Sequence, residues 1–170
     1  MRIDPKIEQP TRTMLRHAIQ GELQELAAVI DATGDEEYRQ SIALCLATAG
    51  YVAIDASGRW PTSADKWEIA RDAAQAAGTY KLGDSDVYNY LSRAALGAEH
   101  LDDVFGAVVA TGTMPLLITA RLLLSFRPPD KDWWEYLDTI EAALEAAEGI
   151  DLTVLPALTL RSHQNPAVRQ

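Results

Sequence analysis

The chain has 170 residues and a mass of 18.6 kDa, which fits a single domain with enough residues to bury a core unaided by disulfides or metals. Hydrophobic residues make up 48% of the chain and charged residues 24%, values that exclude a disordered protein. The 25 acidic residues outnumber the 15 basic ones, for a formal net charge of −10. Because this excess repels phosphate backbones and anionic lipids, it argues against nucleic-acid and membrane partners and favours a basic protein as partner.

The N-terminal part is predicted to contain a short arm and one long helix. Residues 1–10 carry two prolines, several charges and no long apolar run, so we predict a flexible arm, no signal peptide and a cytoplasmic location. A helix is predicted over 11–33 and is expected to end at Gly34. Its apolar face consists of Leu15, Ile19, Leu23, Leu26 and Ile30.

The middle of the chain predicts a buried central helix followed by two amphipathic ones. No residue in 42–54 is charged, so this stretch is expected to lie in the core, with Cys45 as a small buried hydrophobe. Thr62 and Asp65 resemble a capping box that opens a helix over 63–77. A further helix, begun by Asp84 or Ser85, is predicted to run to Leu96.

The C-terminal half predicts two core helices and one long amphipathic helix. The uncharged stretch 104–120 is shorter than the roughly 20 residues of a membrane span. It also contains glycines and Pro115, so we predict a break with Thr113 as the second N-cap. Residues 130–149 form the clearest helix, and 161–170 read as a flexible tail. The apolar stripe of that helix consists of Trp133, Leu137, Ile140, Leu144 and Ala147.

Together these patterns predict one all-α domain over 11–160, a bundle of six to eight helices, because strand signals are scarce. A shift of 67 residues aligns Pro61 with Pro128 and Trp67 with Trp134, which favours a duplication into two related helix pairs. The alternative is that helical hairpins simply resemble one another. We expect Trp67 and Trp133 in the core, and Trp60 or Trp134 at the surface.

One pair of residues is a candidate for metal or acid–base chemistry. His100 and Asp103 are three positions apart, so on a helix they share a face and could hold a metal ion or orient the imidazole. The alternative, which the sequence favours, is a solvated acidic helix start in which Asp102 and Asp103 interact with the helix dipole. No zinc motif or Glu-x-x-His pattern is present, so an all-helical metal-dependent hydrolase is an alternative, and no cofactor is predicted.

The helix over 130–149 also carries a stripe of acidic residues beside its apolar seam. Like charges stacked at this spacing cost a few tenths of a kcal/mol per pair, which favours a use such as docking a basic protein. A plain solvated face is the alternative interpretation. The predicted partner-binding residues are Trp134, Asp138, Glu141, Glu145 and Glu148.

We therefore expect a non-enzymatic, acidic, protein-binding module. Its size and charge are typical of an immunity protein, an antitoxin or a regulatory adaptor that docks a basic protein surface. The excess of Arg over Lys and the abundance of Ala are typical of a bacterial or phage genome. Besides the hydrolase, the other alternative is a structural homodimer that packs through the alanine flank of the helix over 130–149.

Overall fold

The computed structural model describes residues 3–94 and 112–147, and every regular element in these ranges is an α-helix. The prediction of an all-α bundle of six to eight helices is confirmed, with seven helices in the described ranges. They are α1 (Pro5–Gln20), α2 (Leu23–Ala32), α3 (Asp35–Ser57), α4 (Ser63–Gln75), α5 (Asp84–Ala94), α6 (Met114–Phe126) and α7 (Trp133–Ala146). None of these described helices has the length and apolar character needed to cross a membrane.

Helices α3 and α6 form the centre of the bundle. Helix α3 packs against α1, α5 and α6, and α1 also packs against α6. The uncharged stretch of α3 is buried as predicted, with Cys45 fully inaccessible. In α6 every residue from 115 to 123 is buried, because helices cover it on all sides. The remaining helices bury one face each.

The N-terminal segment differs from its prediction. Helix α1 begins at Pro5, so the flexible arm predicted over 1–10 is wrong for residues 5–10. Pro5 is compatible with this helix start, because the N–H groups of a first turn have no acceptors within the helix and proline lacks an N–H. The single helix predicted over 11–33 is broken at Gly21, whose φ of 74° is left-handed and ends α1. Gly34 caps the start of α3 instead of ending a helix.

Other helix ends agree with the sequence. Thr62 and Asp65 form the predicted capping box of α4, in which the Asp65 carboxylate accepts from the Thr62 amide at 2.7 Å. Gly58 ends α3 with a φ of 63°. Thr113 is the N-cap of α6, as predicted, although its side chain makes no capping hydrogen bond.

The tryptophans and the helix ends test the predicted duplication. Trp60 and Trp134 are exposed, as predicted. The core position predicted for Trp67 is wrong, because its ring lies at the surface. There it stacks on Tyr88, with 4.1 Å between the ring centroids. Helix α4 begins at Ser63 and α7 at Trp133, so a shift of 67 residues does not superimpose the two helix starts. The start of the second copy lies outside the described residues.

A short chain of buried hydroxyl groups connects three core helices. The Tyr90 hydroxyl of α5 lies 3.1 Å from the Thr119 hydroxyl of α6, which donates to the Cys45 carbonyl of α3 at 3.4 Å. Because the side chains of Tyr90 and Thr119 are almost fully buried, their hydroxyl groups depend on each other and on the Cys45 carbonyl for hydrogen bonds.

We expect Thr119→Val to destabilise the fold by about 2 kcal/mol, because valine has the same shape but leaves the buried Tyr90 hydroxyl without a partner. Thermal or urea unfolding measures this loss. In a Tyr90→Phe background the same substitution should cost much less, since no hydroxyl is left unpaired. Equal costs in both backgrounds would show that the hydrogen bond does not contribute.

One arginine is buried beside the α4–α5 connection. The Arg121 guanidinium is 3% exposed and donates to the carbonyls of Ala73, Ala76 and Tyr80, the last at 2.8 Å. Its charge also lies 5.3 Å from the centre of the Tyr80 ring. A Cβ atom on Gly78 would overlap this guanidinium. Arg121 therefore supplies the hydrogen-bond donors that the C-terminal end of α4 lacks.

Candidate functional site

The acidic stripe predicted on α7 faces α1. Asp138 and Glu141 both accept hydrogen bonds from Nη2 of Arg12, the former at 2.6 Å. Glu145 accepts from the backbone N–H of Ile3 at 2.8 Å. Glu148 lies outside the described residues. Three of the four predicted acids therefore have partners within the same chain. Asp138 and Glu141 contact the Arg12 guanidinium, and Glu145 contacts the Ile3 amide.

These acids differ in their exposure. The Asp138 side chain is 58% exposed, whereas that of Glu141 is 8% exposed. Burial raises the pKa of Glu141 to about 7, and the attraction of Arg12 only partly opposes this effect. Arg12 also lies 3.0 Å from the carboxylate of Glu8, so one base serves three carboxylates.

A second acidic surface lies in a cleft of about 300 Å³ between α3, α4 and α6. Its three carboxylates all belong to α4, at positions that share one face of a helix. The cleft is lined by Ala56, Ser57, Asp65, Glu68, Ile69, Asp72 and Phe126. We call this set the acidic cleft.

Only one of the three carboxylates in the acidic cleft has an ion-pair partner among the described residues. Asp65 has partners, because it accepts hydrogen bonds from Thr62 and forms an ion pair with Arg59 at 3.0 Å. The bonds from Thr62 lower the pKa of Asp65. In 3–94 and 112–147, neither Glu68 nor Asp72 is in an ion pair. Two carboxylates that have no ion-pair partner among the described residues therefore line the cleft.

Apolar side chains accompany these carboxylates. The partly exposed Phe126 and Ile69, which is 5% exposed, line the cleft, and their apolar atoms can contact the stem of a lysine or arginine whose charged end meets the acids. Trp60 is 41% exposed in the loop that joins the α3 wall to the α4 wall. Trp67 lies on the opposite flank of α4, stacked on Tyr88, and is not part of the cleft.

The sequence-based predictions overlooked the acidic cleft, although part of the signal was present. Asp65, Glu68 and Asp72 are spaced three and four apart, which indicates an acidic helix face. The walls supplied by Ser57 and Phe126 come from the ends of α3 and α6, and no local pattern connects these residues to α4.

The candidate hydrolase site cannot be placed, since His100 and Asp103 lie outside the described residues. Within the described ranges, no group of three or more His, Cys, Asp and Glu side chains is arranged to hold a metal ion. His17 lies 2.7 Å from the Glu22 carboxylate and joins the end of α1 to the start of α2. Glu135 caps α7, where its carboxylate accepts from the Asp132 amide at 2.9 Å.

No known protein family, no curated protein and no solved structure matches this chain. A function for it therefore follows only from its own residues and their arrangement.

Proposed function

We propose that this protein is a non-enzymatic binding protein that docks a basic segment of another protein in the acidic cleft. The observation that carries the proposal is that Glu68 and Asp72, which have no ion-pair partner in the part of the chain that the structure describes, lie beside the apolar side chains of Ile69 and Phe126. Charged groups arranged this way speed the encounter with a partner of opposite charge and select against acidic ones. An immunity protein, an antitoxin or a regulatory adaptor would use such a surface.

The acidic cleft is a better docking site than the stripe on α7. Arg12 already pairs with Asp138 and Glu141, so a basic partner would have to displace it. Glu68 and Asp72 have no such competitor among the described residues. Trp60, exposed in the adjoining loop, adds the kind of aromatic side chain that often anchors an interface.

We expect the charge reversal Glu68→Lys with Asp72→Lys to weaken partner binding at least about 10-fold, because like charges then meet across the interface. The matched control is Glu25→Lys with Asp31→Lys, which changes the net charge equally on the exposed surface of α2. Binding of both variants to the partner is measured by titration calorimetry at low salt and at high salt.

The partner for this titration comes from affinity purification at low salt, read by native mass spectrometry. A basic protein that is retained by the wild type and the α2 control, and lost by the cleft variant, supports the proposal. A preparation with no basic protein, or equal retention by all three, contradicts it. The same spectra report a retained metal, which would favour the hydrolase, and a dimer mass, which would favour the homodimer.

A further inference from the structure

The contact between α1 and α7 has an excess of negative charge. Arg12 of α1 faces Glu8 on its own helix and both Asp138 and Glu141 on α7. Glu145, one turn further along α7, accepts a hydrogen bond from the backbone N–H of Ile3. We call these six residues the α1–α7 contact. A single base in it compensates three carboxylates at ion-pair distance, so at least two negative charges remain when all are ionised.

Glu141 is the member for which ionisation is least favourable. The residue is 6% exposed, and its Oε2 pairs with Arg12. Its Oε1 is buried and has no hydrogen-bond partner in the described part of the chain. A buried carboxylate oxygen without a donor is costly when charged, and a proton on the group removes most of that cost.

On α1, the α1–α7 contact involves residues no further along the helix than Arg12. From Met14 onward, α1 is anchored by fully buried residues, which include Leu15 and Ala18. Before Arg12, the buried residues of the helix are Ile7 and Thr11. The first two turns of α1 therefore depend on the polar α1–α7 contact far more than the rest of the helix does.

We propose that the α1–α7 contact is proton-dependent: the first two turns of α1 are docked on α7 while Glu141 is protonated and loosen when Glu141 ionises. Loosening would uncover the acidic stripe of α7 and offer a second acidic face. This inference does not depend on the proposed function, because the α1–α7 contact is separate from the acidic cleft.

The surroundings of Glu141 set the direction of the pH dependence. Burial raises its pKa from an ordinary value of 4.5 to about 7, and repulsion by Glu8 and Asp138 adds to the rise, while Arg12 opposes it. The docked form thus binds the proton more tightly than the loosened form. Docking is fully stabilised below the ordinary pKa and loses that stability as pH rises through about 7.

The titratable and charged groups that α3 and α6 bring to α7 have partners other than Glu141. On α3, Asp55 accepts a hydrogen bond from Tyr136 at 2.7 Å, and Tyr51 lies near both of them. On α6, the charged residue is Arg121, whose guanidinium binds carbonyls of the α4–α5 region. Neither helix brings a second base to Glu141.

The test is hydrogen–deuterium exchange of the full chain between about pH 5.5 and pH 8.5, corrected for the intrinsic rate of amide exchange. Peptides covering residues 5–13 should show an opening equilibrium that rises roughly 30-fold over this range, whereas peptides from α3 and α6 should stay protected. Glu141→Gln should keep the first turns of α1 protected at every pH. The matched control, Glu25→Gln on the exposed face of α2, should behave as the wild type.

Two outcomes would overturn the proposal. One is protection of the first turns of α1 that does not change with pH in the wild type. The other is a Glu141→Gln variant that remains folded and opens with the same pH dependence as the wild type. An NMR titration of the Glu141 side-chain carboxyl carbon gives a check without substitution, and a midpoint near 4.5 would contradict the proposal.

Discussion

Replacing Arg121 with methionine is expected to destabilise the fold by about 3 kcal/mol. Methionine fills part of the volume but donates no hydrogen bonds, so the carbonyls of Ala73, Ala76 and Tyr80 lose their donor in a region largely shielded from water. The loss exceeds what is regained by removing a buried charge, because several carbonyls are left unpaired at once. Urea unfolding followed by circular dichroism measures the change.

The matched control for this substitution is Arg71→Met, on the exposed face of α4. A surface change of this kind should stay within about 0.5 kcal/mol of the wild type. If Arg121→Met is as stable as this control, the hydrogen bonds to the α4–α5 region do not stabilise the fold.

Gly78→Ala is expected to destabilise the fold by about 2 kcal/mol, because its Cβ would occupy the position of the Arg121 guanidinium. A flexible surface side chain would move aside, but this guanidinium is held by three carbonyls. In the Arg121→Met background the same alanine should cost far less, so the two substitutions are not additive. Differential scanning calorimetry of the four proteins gives the coupling.

Gly83→Ala provides the comparison for Gly78. Its Cβ would meet the carboxylate of Asp86, an exposed residue that can move. We therefore expect a cost below about 0.5 kcal/mol at Gly83. Similar costs at the two glycines would mean that the arrangement around Arg121 is not responsible.

The fold was predictable where the sequence pattern is local. The uncharged stretch within α3 and the apolar stripe of α7, with Leu137 and Ile140 fully buried, agree with the structure. The break at Gly21 was missed because Ile19, Leu26 and Ile30 pack against one core, so their helical spacing continues across α1 and α2. Leu23, predicted on the same apolar face, is instead 46% exposed. Trp67 was misplaced because its stacking partner, Tyr88, belongs to a different helix.

The candidate sites were less predictable because they depend on pairing between distant positions. The described acids of the α7 stripe contact Arg12, which is 129 residues from Glu141 in the chain, and no helical pattern within α7 indicates this partner. The acidic cleft needs the ends of α3 and α6 beside α4, an arrangement that only the folded chain creates. Helix periodicity shows which face of one helix is charged, and says nothing of what lies opposite.

The position of Arg121 also bears on how the chain folds as it is made. Its bonds reach back 41 to 48 residues, to a helix end and loop that leave the ribosome much earlier. Until α6 emerges, the carbonyls at the end of α4 have only water as a partner, and the last turn of that helix is free to fray. The packing of Trp67 on Tyr88 can join α4 to α5 earlier, but the last turn of α4 gains its hydrogen-bond donors only after α6 has emerged.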